Sequence, residues 1–145
     1  MQRGCLLICD NCGKKAIYVR IQESFCSFCR EKLVIEDEME DLVVALNNTN
    51  IITISSCVGY RENFENKRSY PHVVLLNSDD NIRRAEKVVA GYNQVKDKDR
   101  SSWKVESKEC LLKREVLIIP EKTEKRLEDL HQDVKFLATH IVAFC

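Results

Sequence analysis

Cys9, Cys12, Cys26 and Cys29 constrain this chain more than any other feature. They form two C-x2-C pairs with thirteen residues between them. Each pair is a knuckle that turns two thiolates toward one point, and four soft anionic sulfurs in a tetrahedron suit Zn²⁺ at a closed, structural site. The gap is somewhat shorter than the commonest template. Gly13 follows the first pair, where a knuckle needs a residue able to take φ > 0. Between the pairs, Ile17, Val19 and Ile21 alternate with Tyr18, Arg20 and Gln22, which predicts a strand. Residues 1–33 therefore read as a zinc ribbon or treble clef. Buried or disulfide-linked cysteines and an Fe–S cluster are the competing readings.

A chain of 145 residues holds one ordinary domain and a small appendage, here divided as 1–33 and 36–145. Lys+Arg and Asp+Glu number 23 each, so the net charge is zero. No global basic field draws in nucleic acid, and any such contact must come from local patches. No run of about 18 apolar residues predicts a membrane span. The apolar stretch 5–9 is too short for a signal peptide. Eight cysteines, four of them in metal spacing, point to a reducing, intracellular and cytoplasmic setting. Cys5, Cys57, Cys110 and Cys145 are left over as small buried hydrophobes or free thiols.

Beyond the ribbon, the acidic run 36–41 opens a helix with Met39, Leu42, Val43 and Leu46 on one stripe. Its carboxylates suit the positive end of the helix dipole, and the run reads as a solvated face. Residues 51–56 are β-branched and predict a strand, which finishes in Cys57-Val58-Gly59-Tyr60. His72-Val73-Val74-Leu75-Leu76 suits a strand buried on both faces. Ser78 and its neighbours offer a cap for a second helix, expected to stop near Gly91. Trp103 and Val105 alternate with Lys104 and Glu106, and 115–119 makes a further strand ended by Pro120. From Glu121 a long helix carries Leu127, Leu130, Val134, Leu137 and Ile141, a stripe expected to face a core rather than a coiled-coil seam. Helix, strand, strand, helix, strand, strand, helix is the pattern of an α+β domain whose helices cover a sheet. Strand order is not encoded in it.

That order, with Thr53-Ile54-Ser55-Ser56-Cys57-Val58-Gly59 after the first helix, resembles the wybutosine-synthesising tRNA methyltransferase family. The family modifies a guanosine-derived base in tRNA with S-adenosylmethionine and carries a Thr/Ser-Ser-Cys-Ser-Gly-Arg signature at the equivalent strand end. Here Val58 replaces the second serine, and Tyr60 stands at the arginine, with Arg61 one place later. Tyr70-Pro71-His72 stands where the family has Gly-Gly-x-Trp, and Val105-Glu106-Ser107 where it has an Arg-Ser pair. The four-cysteine ribbon lies outside the resemblance. The resemblance implies binding of RNA or S-adenosylmethionine for base modification.

The same stretch read as chemistry offers Ser55, Ser56 and Gly59 as a ligand turn, with hydroxyls, backbone N–H groups and an unobstructed glycine. The alternative is a strand-terminating turn whose serines satisfy local backbone groups. Arg61, Lys67 and Arg68 follow in the next loop as candidate phosphate contacts, and Lys14, Lys15 and Arg20 form a basic cluster on the ribbon. No nucleophile elbow, phosphate loop or zinc-protease motif is present. Cys57 has no histidine or base placed near it by sequence, and no catalytic residue is assigned. Two functions fit: a zinc-ribbon protein with a methyltransferase-like body, and a non-enzymatic zinc-ribbon adaptor binding protein or nucleic acid.

Overall fold

A computed structural model describes residues 5–20, 22–62, 68–110, 113–121 and 125–144. Four short strands form the N-terminal part. β1 (Cys5–Ile8) pairs antiparallel with β2 (Lys15–Tyr18), and β3 (Ser24–Phe25) with β4 (Lys32–Leu33). The expected strand is present as β2, with alternating burial along it. Ala16 and Tyr18 are buried, whereas Ile17 is 63% exposed. Tyr18 turns inward because its hydroxyl donates to the Glu40 carboxylate; burial first, and Glu40 second, keep the phenol protonated well above its ordinary range.

The rest of the chain runs α1 (Asp37–Asn48), β5 (Thr53–Cys57), β6 (Tyr60–Glu62), β7 (Arg68–Ser69), β8 (His72–Leu75), α2 (Asp79–Val95), β9 (Trp103–Cys110), β10 (Lys113–Pro120) and α3 (Leu127–Phe144). The α+β order expected from the sequence is present, with β6 and β7 added as a small arm that prolongs the β5–β8 hairpin. The main sheet has the order β5-β8-β10-β9 and is antiparallel throughout. It therefore lacks the crevice at the carboxyl ends of parallel strands where doubly wound α/β folds bind nucleotides. β5 and β9 are its edges.

Val73, Leu75, Val116, Ile118 and Trp103 line one face of this sheet and are almost wholly buried. Met39, Leu42 and Leu46 of α1 and Leu130, Val134, Leu137 and Ile141 of α3 cover them with no measurable exposure. The α3 stripe is thus core and not an intermolecular seam. The opposite face is more open: His72 and Val74 are half-buried, so β8 is not enclosed on both sides.

Two helix boundaries differ from those predicted. Pro120 is the last residue of β10, opposite Trp103, and α3 begins at Leu127 rather than at Glu121. α2 runs through Gly91 to Val95, although a mid-helix glycine costs roughly 0.5–1 kcal/mol relative to alanine. Contacts beyond the glycine hold the extra turn. Tyr92 is buried, and the Asn93 side-chain amide clamps Trp103, donating to its carbonyl (2.8 Å) and accepting from its N–H (2.9 Å).

Similar amide clamps place the start of β5. Asn81, fully buried on α2, accepts from Ile52 N–H at 2.6 Å and donates to Ile52 and Leu76 carbonyls at 2.9 and 3.0 Å. Asn47 at the end of α1 donates to Thr53 Oγ1 at 2.8 Å and accepts from Thr53 N–H at 3.3 Å. On α3 the wholly buried Asp133 accepts from Lys125 Nζ (3.2 Å) and Ser101 N–H (3.2 Å), with Arg100 at 3.5 Å. Among the described residues, no helix is long and apolar enough to cross a membrane.

Because Leu137 is wholly enclosed, Leu137→Ala is expected to lower the unfolding free energy by about 2–5 kcal/mol, read from the urea midpoint. An unchanged midpoint with lost self-association would return the stripe to an intermolecular role.

Candidate metal centre and the groove beside it

The two cysteine knuckles share one backbone design. In the first, Gly13 N–H donates to Cys9 O (2.8 Å) and Cys9 N–H to Lys14 O (2.9 Å). In the second, Arg30 N–H donates to Cys26 O (2.8 Å) and Cys26 N–H to Glu31 O (2.8 Å). The residue after each second cysteine is left-handed: Gly13 at φ 76° and Arg30 at φ 68°. The sequence exposes this need at Gly13 but hides it at Arg30, which adopts the conformation without being glycine. Such a backbone costs an L-residue about 1–2 kcal/mol, so the turn geometry overrides local preference there.

All four sulfurs lie within 4.8 Å of one another, with Cys9–Cys29 and Cys12–Cys26 at 3.6 Å. A tetrahedron with metal–sulfur bonds of about 2.3 Å has edges of roughly 3.8 Å, so the set fits Zn²⁺ and is much too open for a disulfide. The surroundings favour thiolate on the second knuckle. Backbone amides of Cys29 and then Phe28 bring the Cys26 thiol down to about 6. The Asn11 side chain, followed by the Glu31 amide, lowers Cys29. Cys12 goes the other way: although the Lys14 amide donates to it, desolvation and the neighbouring sulfurs push it up to about 11. Four sulfurs this close cannot all ionise without a cation among them, and a divalent ion resolves the conflict.

The ribbon leans on the body. Cys5, Leu7, Ala16, Tyr18 and Leu33 belong to the same buried cluster as α1, α3 and the sheet. Arg20 reaches Glu40 (3.1 Å) and Asp41 on α1. The acidic run expected to be solvated is therefore partly an anchor. Glu36 takes part as well, accepting from Val58 N–H at 3.3 Å.

Between ribbon and body lies a groove of about 380 Å³. Leu7, Ile8, Cys9, Asp10 and Asn11 form one wall; residues 31–36 and Val43 form the floor; Thr53, Ile54, Ser55 and Ser56 form the other wall. It follows the unpaired edge of β5. A bulge at Ile54 breaks the pairing between Thr53 and Ser55, so strict alternation fails there and both serines reach the groove. Three carboxylates, Asp10, Glu31 and Glu36, and one cation, Lys32, border it. This excess of negative charge disfavours a phosphate inside.

The predicted ligand turn is thus divided. Ser55 and Ser56 line the groove, whereas Gly59 is buried at φ 79° past the strand end and does not line it. Arg61 and Arg68 lie on β6 and β7, the small arm beyond, and their side chains are outside the described part of the structure. Lys67 lies outside the described residues altogether. Lys14 stands over the exposed Phe28 ring at 4.8 Å. Cys57 does have a histidine neighbour: the β5–β8 register places His72 directly opposite. The two are fifteen positions apart in sequence, which conceals the pairing. His72 Nδ1 bonds the Tyr70 carbonyl at 2.8 Å, and no hydrogen bond joins it to Cys57 among the described residues.

No protein-family model, curated protein or solved structure matches this chain.

Protein purified without chelator is expected to carry one Zn²⁺ per chain, and Cys12→Ser to carry less than one by elemental analysis. Structural zinc sites release an apparent ~10–16 kcal/mol on binding, so hydrogen exchange across residues 5–33 should accelerate in that variant while α3 stays protected. Finding no metal in the wild-type protein would remove the zinc assignment.

Proposed function

We propose that this is a zinc-ribbon protein whose ribbon–body groove binds S-adenosylmethionine, in keeping with the methyltransferase family that the body resembles. The groove beside the Ser55–Ser56 strand carries this reading. Its volume of about 380 Å³ falls in the usual range for small-molecule sites. Its apolar floor of Leu33, Ile35 and Val43 suits an adenosyl group, and the serine hydroxyls and Asn11 offer polar contacts. Asp10, Glu31 and Glu36 suit the ammonium and sulfonium charges better than they suit any anion. When bound, S-adenosylmethionine supplies an electrophilic methyl group. This chain's own residues orient the ligand and balance its charge; the four cysteines hold one wall in place.

An adaptor function is the second reading, and a specific observation favours it. Leu6, Ile17, Phe25 and Phe28 of the ribbon and Val34 just after it are 54–69% exposed, a density of surface apolar groups that serves partner docking.

Calorimetric titration of the zinc-loaded chain with S-adenosylmethionine tests the proposal. Binding is expected, with Ser55→Trp abolishing it by filling the groove and Ser55→Ala weakening it about tenfold through a lost hydrogen bond. No heat at millimolar ligand, together with a stoichiometric protein partner, would establish the adaptor instead.

A further inference from the structure

Of the two edges of the main sheet, β5 is broken by a bulge and borders the groove. β9 has neither feature: it pairs with β10 in unbroken register from Trp103 to Cys110. The Asn93 amide bonds both the N–H and the carbonyl of Trp103, so the backbone of that residue points away from β10. Backbone direction alternates along an antiparallel strand. Val105, Ser107 and Glu109 therefore also turn N–H and C=O outward, and among the described residues these groups have no hydrogen-bond partner. Ser107, Lys108 and Glu109 are exposed, so nothing among the described residues covers this stretch of edge.

The side chains between them carry alternating charge. Lys104, Glu106 and Lys108 share the more open face of the sheet, since Glu106 stands opposite Leu117 and Leu117 opposite Val74. Lys104 and Glu106 are ion-paired at 3.3 Å. Lysines on an edge usually prevent pairing, but alternating signs exclude only some registers. Consider two copies set edge to edge about a two-fold axis. Centring on Glu106 puts Glu106 against Glu106 and Lys104 against Lys108. Centring on Lys108 puts Lys108 against itself. Centring on Val105 needs the backbone of Trp103, which Asn93 already holds. Centring on Ser107 puts Glu106 of each copy against Lys108 of the other, on one face. It also brings the outward groups of Val105 onto Glu109 and of Ser107 onto Ser107, and leaves none unmet.

We propose that β9 is the docking edge for a second copy of this chain, paired antiparallel about Ser107 into one sheet continuous through both molecules. Such an interface is isologous, so each favourable contact occurs twice. Opposite charges facing across strands support the ladder, and like charges oppose it. A second copy is the occupant because the same alternation that rejects the other registers is its own complement in this one. The Asn93 clamp closes the edge at Trp103 and so sets where pairing stops.

Sedimentation equilibrium of the full-length, zinc-loaded chain over a range of concentrations is expected to show monomer in exchange with dimer. Glu106→Lys makes both facing pairs repulsive and should weaken the dimer about tenfold or more at an unaltered melting temperature. Adding Lys108→Glu to that variant puts opposite charges back across the axis and should restore the dimer. A purely structural role of Glu106 does not give that rescue. Cysteine scanning reads the register, because hydrogen-bonded partners have Cα atoms about 5.5 Å apart, within disulfide reach. Ser107→Cys should give a reducible covalent dimer under mild oxidation, beyond any formed by the wild-type chain, and Glu106→Cys and Lys108→Cys should give less. A wild-type chain that stays monomeric at millimolar concentration would overturn the proposal. A dimer indifferent to Glu106→Lys, or cross-linked through position 106 or 108 in preference to 107, would overturn it as well.

Discussion

Tyr18 and Arg20 reach from the ribbon to Glu40 and Asp41 on α1, and the position of everything at the seam depends on that contact. A module of about 30 residues cannot enclose an adequate core of its own and needs a metal, a disulfide or a neighbour. This ribbon uses two of these supports, four converging cysteines and the side of α1. The Arg20 ion pairs are part-exposed and contribute little by themselves. The stronger hold is Tyr18, buried with its hydroxyl on Glu40, inside one apolar cluster that runs from Cys5 to Ile141. Closure of the knuckles and docking are therefore linked: knuckles that fail to close would let β1 drift from β5.

That proximity accounts for the groove. β5 is an edge strand, and an uncovered edge invites pairing with other chains. β1 stands alongside it without joining the sheet, and the bulge at Ile54 spoils a regular ladder. The edge is shielded yet not paired, and the space left over becomes the groove. The charge that borders it follows from which elements meet there, the knuckle and the acidic entry to α1.

The parts legible in the sequence are those governed by local repetition. The knuckle spacing, the stripes of α1 and α3 and the order of elements all follow from periodicity and ligand chemistry. Tertiary contacts decided the rest. Ile17 points outward because Tyr18 has a partner twenty-two residues away. α2 passes Gly91 because Asn93 and Tyr92 have contacts beyond it. Arg30 takes a left-handed backbone because its knuckle must repeat the one closed by Gly13. Asn47, Asn81 and Asn93 fix the two edge strands, and their only advance signal is weak: asparagine is a poor helix former, so three on or beside apolar stripes imply work for the side-chain amide. The separation of Ser55 and Ser56 from Gly59 could not be read from a linear motif, since it depends on a bulge.

The role of Val58 within the Ser-Ser-Cys-x-Gly stretch becomes intelligible at this strand end. Val58 uses its backbone twice, donating its N–H to Glu36 and accepting at its carbonyl from His131 Nε2 at 2.8 Å. A carbonyl only accepts, so Nε2 carries the ring proton. The N-cap of α1 and a side chain of α3 thus hold the two backbone groups of Val58, and its side chain packs against the core. An apolar side chain at this position adds burial. The turn is kept by Glu36 before α1, by His131 of α3 and by the Cys57 sulfur, which accepts from Gly59 N–H at 3.4 Å. Among the described residues the hydrogen bonds at this strand end come from Glu36, Cys57 and His131, and Ser55 and Ser56 line the groove.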